Sequence, residues 1–184
     1  MISLLSREEA LARGRELGID DYIAQMNLFR ALLNYPAIAR ELNSTIMAIV
    51  TGQKLVSDHT RELIVMRVAW LAHSEYEWSQ HWLVARYFGL TEDQLAAVRN
   101  WQNASCFNEE ERAVLVATDE LLLQHRITAD TRAALRKHFP SDEAIIELVT
   151  CIGNWHMFAL LLNGLDIPLD ENMLAWPPEG RGPD

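Results

Sequence analysis

Apolar residues recur along this chain at the three-to-four-residue spacing of amphipathic helices, and no stretch alternates apolar and polar positions long enough to predict a strand. Ser6 followed by Glu9 has the form of a capping box, in which each side chain satisfies the other residue's backbone N–H. The helix it opens carries Ala10, Leu11 and Leu17 and stops near Gly18. Asp20 or Asp21 caps a second helix through Ile23, Met26, Leu28, Leu32 and Leu33. Pro36 suits the first turn of a third, where its missing N–H costs nothing, and that helix runs through Ile38, Leu42, Ile46, Ile49 and Val50 to Gly52. Ser57 or Asp58 caps a fourth, and Gly89 ends the helix after it. Thr91 with Gln94 and Asn108 with Glu111 form two more boxes, the first opening a short helix to Trp101, the second a helix through Val114, Leu121 and Leu122. A helix over 130–138 ends before Pro140, and the last runs from Ser141 to Asn163 and Gly164.

Two segments break the amphipathic rule. Residues 63–72 are apolar at every position except Arg67, and a helix hydrophobic all round is a buried one. Residues 144–162 are about long enough to span a bilayer, which takes roughly 20 residues. Glu147, Asn154 and His156 interrupt that run at a cost in lipid, so a buried core or interface helix is predicted. A bundle of this size buries one such helix readily and two with difficulty. The surplus predicts a homo-oligomer, between dimer and hexamer, because obligate interfaces resemble a domain core cut in half. No linker or internal repeat divides the chain, and the pattern predicts one all-α domain over residues 1–184, an irregular helical bundle. The Pro- and Gly-rich tail, 176–184, is expected to be disordered or strapped over the surface.

Charge narrows the partners. A net charge of −10 with no run of Lys or Arg repels nucleic acid and anionic membrane, and neither is expected as a partner. The two cysteines, Cys106 and Cys151, are too few for a disulfide framework and have no metal-ligand spacing. Cys151 reads as a packed small hydrophobe and Cys106 as a loop thiol without a resolving neighbour. The first residues carry acids early and lack the apolar core and cleavage site of a signal peptide, so a cytoplasmic protein is expected.

Chemistry concentrates directly after the buried segment, in His73, Ser74, Glu75, Tyr76, Glu77 and His81. Ser74 and Glu77 fit a capping box. Glu77 and His81 are four residues apart, so on a helix they share a face. Trp78, Trp82, Leu83 and Val84 beside them predict a partly buried helix, with Trp78 and Trp82 shaping an apolar wall. A buried carboxylate beside an imidazole is costly unless used or satisfied, and desolvation raises its pKa into the range for acid–base work. A metal reading puts His73, Glu77 and His81 on one face. It fails if Ser74 caps the helix, and no metal site is predicted. Arg67 must find a carboxylate, either a structural acid such as Glu62 or Glu77, or a substrate carboxylate held bidentately.

The run R-E-L-I-V-M-R-V-A-W-L-A-H-S-E-Y-E-W-S-Q-H, followed by A-R-Y-F-G-L-T-E-D-Q-L, resembles the carboxymuconolactone decarboxylase and AhpD-like alkylhydroperoxidase superfamily. The family form has an acid opening a buried helix, then Cys-x-x-Cys-x-x-x-His, then a helix closed by Gly and a Ser/Thr cap. The ending G-N-W-H-M-F-A-L-L-L-N-G-L-D-I-P-L-D is similar to that of longer members, so the resemblance covers a core of roughly 37–167. It implies that Glu62 is the acidic relay residue and His81 the histidine. Ser74 and Glu77 stand where the two cysteines would be, and neither supports a thiol–disulfide cycle. The decarboxylase branch also lacks the pair and carries a Glu four residues before the histidine. The resemblance thus implies cofactor-free acid–base chemistry on a small carboxylate or lactone, and the residues nominate Glu62, Glu77 and His81 as catalytic with Ser74, Tyr76, Trp78 and Arg67 as candidate substrate contacts. A non-catalytic descendant serving binding or assembly is the other reading.

Overall fold

The structure, a computed structural model, describes residues 2–183. Among the described residues there are ten α-helices and no strand. In chain order they are α1 (Arg7–Glu16), α2 (Asp21–Gln25), α3 (Asn27–Leu32), α4 (Pro36–Thr51), α5 (Asp58–Leu71), α6 (Glu75–Tyr87), α7 (Glu92–Ala97), α8 (Glu109–Gln124), α9 (Ala129–His138) and α10 (Asp142–Gly164). Three capping boxes form as the sequence indicates, at Ser6/Glu9, Thr91/Gln94 and Asn108/Glu111. Ser57 and Ser141 cap α5 and α10 through their hydroxyl oxygens.

Helix α5 is the axis of the bundle. All residues from Thr60 to Ala69 are buried, and α6, α8 and α10 pack around it. One face, through Ile64, Val65 and Val68, meets α8, α9 and α10, while the other, through Leu63 and Met66, meets Trp78, Trp82 and Leu95. A third apolar cluster joins α1, α2 and α3 to Tyr76 and the end of α10 through Phe158 and Leu162. Helix α10 meets the length and hydropathy of a membrane span, yet it packs against α4, α5, α6 and α8, leaving Ile146 and Leu160 exposed.

Where the sequence indicates one helix through residues 23–33, the structure has two, because Met26 is extended (φ −61°, ψ 140°). A long-range contact makes this break. The Asn27 backbone N–H donates to Asp170 Oδ1 at 2.7 Å, and its side-chain amide donates to the carbonyls of Pro168 and Leu169 at 3.2 and 3.0 Å. The helix expected to reach Trp101 stops at Ala97 and continues as a 3-10 turn over Val98–Asn103. The tail is strapped down. Trp176 lies 6.0 Å from Trp70 and 6.1 Å from Trp78 between ring centroids, and the Pro177 carbonyl accepts from Trp78 Nε1 at 2.8 Å. Residue Asp184 at its end lies outside the described residues.

Arg67 is removed from the candidate substrate contacts. Its guanidinium is buried against Asp119, with Nε to Oδ1 at 2.6 Å and Nη2 to Oδ2 at 2.8 Å, rather than against Glu62 or Glu77. Its remaining donors meet the carbonyls of Val98 and Arg99 at 2.9 and 3.1 Å, which ties the 3-10 turn to α5. The bidentate pair and the two backbone carbonyls take four of its five N–H donors, and Arg67 does not line the cavity of His81. Replacing Asp119 with Ala strands this buried charge and is expected to cost about 3–5 kcal/mol of unfolding free energy. Urea denaturation checks it, and a loss below about 1 kcal/mol would mean that the backbone carbonyls alone satisfy Arg67.

Candidate active site

The site is assembled at the turn between α5 and α6. His73 takes a left-handed backbone (φ 53°), and the Ser74 N–H closes the end of α5 by donating to the Ala69 carbonyl at 2.9 Å. Ser74 is fully buried, and its hydroxyl oxygen accepts from the Glu77 backbone N–H at 3.4 Å. Here the expected box stays half made, because the Glu77 carboxylate does not turn back to Ser74. It turns along the helix instead, to 3.5 Å from His81 Nε2. With His73 left-handed and outside α6, it cannot share a helix face with Glu77 and His81, so the three-residue metal alignment is absent.

Glu62 on α5 meets the same imidazole from the other side. Its Oε2 lies 2.7 Å from His81 Nδ1, and its Oε1 accepts from Arg61 Nε and Nη2 at 3.0 and 2.9 Å. Arg61 is itself buried, pairs with Asp58 as well, and lies 5.2 Å from the centroid of the Phe88 ring. Burial alone would lift the pKa of Glu62, but His81 and Arg61 outweigh it and hold the carboxyl below its usual range. For His81, burial disfavours the charged ring, yet Glu62 and then Glu77 prevail and its pKa rises. Burial acts on Glu77 with little to oppose it, since His81 is its one favourable charge and Glu62 repels it, and its pKa is pushed up to about 7.

In the neutral ring, the bond to Glu62 places the proton on Nδ1 and leaves Nε2 as the acceptor. Trp155 Nε1 donates to that nitrogen at 3.2 Å. Nε2 therefore sits between an indole donor and a carboxyl that titrates near neutrality. Glu77, His81 and Trp155 line a cavity of about 220 Å³ whose other walls are mainly apolar, including Phe29, Val84 and Phe158. Two of the walls come from α3 and α10, elements remote from the motif.

The structure therefore brings Glu62, Glu77 and His81 together and disperses the proposed substrate contacts. Tyr76 lines the cavity with its ring, but its hydroxyl donates to Asp170, and burial followed by the Asp170 charge raises its pKa. Ser74 is a helix cap behind the site. Trp78 and Trp82 do not form the wall. They face the aromatic cluster of Trp70 and Trp176, because the residue after Glu77 or His81 points about 100° around a helix. Sequence reasoning missed Arg61, Trp155 and Gln80. Gln80 lies one position before His81 on the cavity face, and Arg61 is a second buried charge beside Glu62, so spacing signals existed for both. No local signal marks Trp155.

Comparison with known proteins agrees with this architecture. The sequence profile described as "Carboxymuconolactone decarboxylase family" matches residues 36–120, a span holding Glu62, Glu77 and His81. That match spans a little under half of the chain, and the solved structures the chain resembles share its AhpD-like helical fold. The uncharacterized protein YdfG of Bacillus subtilis (strain 168) is 22% identical over 116 residues, 61% of this chain and 79% of that protein. The debrominase Bmp8, solved as a cysteine-to-alanine variant with 2,3,4-tribromopyrrole, superposes with a TM-score of 0.74 at 17% identity, covering 93% of this chain and 92% of that one. A protein of unknown function from Agrobacterium tumefaciens, related by name to the antioxidant defence protein AhpD, gives a TM-score of 0.70 at 20% identity over 76% of this chain and 94% of its own.

The shifted groups set a pH dependence of stability. Glu77 has a folded pKa above its unfolded value near 4.5, so its contribution is whole below about pH 4.5 and lost as pH rises through about 7. His81, also raised, loses its contribution as pH climbs through its folded value, whereas Glu62, depressed, loses its own as pH falls. Glu77→Gln removes the first of these. It is expected to be more stable than the parent at pH 8 by up to roughly 3 kcal/mol, at about 1.4 kcal/mol per unit of pKa, with a smaller difference at pH 5. Urea unfolding at the two pH values measures it, and equal differences at both would refute the raised carboxyl.

Proposed function

We propose that this chain is an enzyme that moves protons on a small molecule without a cofactor, with His81 and Glu77 as the acid–base pair and Glu62 as the residue that orients and charges the imidazole. The observation that carries the reading is the placement of His81 Nε2, 3.5 Å from Glu77 at a cavity wall, with Nδ1 fixed by Glu62 at 2.7 Å. In this scheme Nε2 takes a proton from a C–H, N–H or O–H of the substrate, and the imidazolium formed is stabilised by Glu62. The imidazolium returns the proton to a different atom, or protonated Glu77 does so and is then reprotonated by the imidazolium 3.5 Å away, and the pair ends as it began.

The alternative chemistry of the superfamily, a thiol attacking a peroxide, finds little support in this chain. Ser74 and Glu77 occupy the two motif positions, Cys106 is exposed in a loop, and Cys151 is sealed in α10 with its thiol pKa pushed up by burial. Self-association through α10 belongs to the proposal as well, because Ile146 and Leu160 are exposed on that helix.

Incubation of the protein with small C–H acids in deuterium oxide, followed by proton NMR, tests the reading. His81→Ala is expected to slow exchange of any substrate so found by about 10²–10⁴-fold, the usual weight of a positioned general base. Glu77→Gln is expected to remove the limb of the pH–rate profile near 7. A variant carrying both Cys106→Ser and Cys151→Ala is expected to keep its activity. If exchange survives loss of His81, or vanishes with the cysteines, the acid–base assignment is wrong.

A further inference from the structure

Charge along the route to His81 is one-sided. Among the described residues that line the inner cavity, Glu77 is the carboxylate and His81 the one basic side chain, and there is no Arg or Lys. Arg61 stands behind Glu62, with its guanidinium taken up by two carboxylates and the Phe88 ring. Outside the cavity lies a groove that shares Tyr22, Met26 and Gln80 with it, so the groove leads to the cavity rim. That groove presents Asp170 and Glu171, and its one cation, Arg7, pairs with Glu171 at 2.8 Å.

An anion entering this route exchanges water for apolar walls and meets carboxylates throughout. Beyond Arg7, which Glu171 already pairs, the cation it can meet among the described lining residues is a protonated His81, which Glu62 already neutralises. Unpaired charge is expelled from such surroundings. Size sets the second limit. An apolar cavity of about 150 Å³ holds benzene, so one of about 220 Å³ takes a single ring with one or two substituents.

We propose that the cavity takes an uncharged molecule of one-ring size, carrying a lone N–H, O–H or C=O group toward Glu77 and His81, and turns carboxylates away. This rests on the reading of the cavity as the reaction site, and it departs from the carboxylated substrate that the superfamily resemblance implies. Gln80, at the junction of groove and cavity, is the polar residue placed to meet that group on entry.

The test is binding, which does not require turnover. Phenol, benzoate and benzylamine at pH 8 offer one ring as a neutral molecule, an anion and a cation, and ligand-observed NMR titration gives each affinity for the full chain. Phenol is expected to bind at least about tenfold more tightly than benzoate, because a second negative charge near Glu77 is repelled in a low-dielectric site. Glu77→Gln is expected to narrow that gap. Val84→Phe, which fills the cavity, is expected to weaken phenol at least about tenfold, while Leu83→Phe on the exposed side of α6 leaves it unchanged. Benzoate or benzylamine binding as tightly as phenol in a Val84-dependent way overturns the proposal, and so does phenol binding indifferent to Val84→Phe. Phenol selectivity without proton exchange on any compound would sink the proposed reaction and leave the selectivity standing. His81-dependent exchange on carboxylates would do the reverse.

Discussion

The contact on which the site depends is the buried bond between Glu62 and His81. A carboxylate as deeply enclosed as Glu62 is costly to keep ionised unless each oxygen is satisfied. Arg61 holds one oxygen and His81 the other, and Asp58 and Phe88 in turn hold Arg61. The chain of contacts starts at the first turn of α5 and ends at the cavity wall. It fixes the ring's position and its tautomer together, so the same bond that makes Glu62 tolerable in the core aims Nε2 at a ligand.

Glu77 acquires its properties from what it is denied. The Ser74 cap uses its backbone N–H, but its carboxylate is not recruited to complete the box, and no arginine reaches it. Left with His81 at 3.5 Å and with Glu62 repelling it, the group is held near the point of proton exchange. Two carboxylates flanking one imidazole thus have opposite fates. The one with a guanidinium is ionised and structural, and the one without is poised. The turn that brings the two groups together rests on the His73 left-handed backbone and the Ser74 cap.

A second buried charge shows how little local pattern says about its own purpose. Arg67 and Arg61 lie on the same apolar helix, six residues apart. Arg67 runs away from the site to Asp119 and secures the 3-10 turn, while Arg61 holds Glu62, the carboxylate that orients His81. Likewise the tryptophans nearest the histidine in sequence, Trp78 and Trp82, build a structural cluster under the strapped tail, and the one that touches His81 comes from α10.

The sequence by itself determined the all-helical class, the capping boxes that start α1, α7 and α8, the burial of α5, and the shared face of Glu77 and His81, while Glu62 was placed beside them only by the family resemblance. These rest on short-range physics: a cap acts over three residues, a helix face repeats every three or four, and an uninterrupted apolar run has to leave water. Only the tertiary structure decided that Met26 breaks a helix, that Asp119 owns Arg67, that Tyr76 spends its hydroxyl on Asp170, and that Trp155 meets the imidazole. Each of those outcomes joins residues far apart in the chain. Which distant partner arrives is set by how whole helices pack, and the spacing of neighbouring residues carries no record of it.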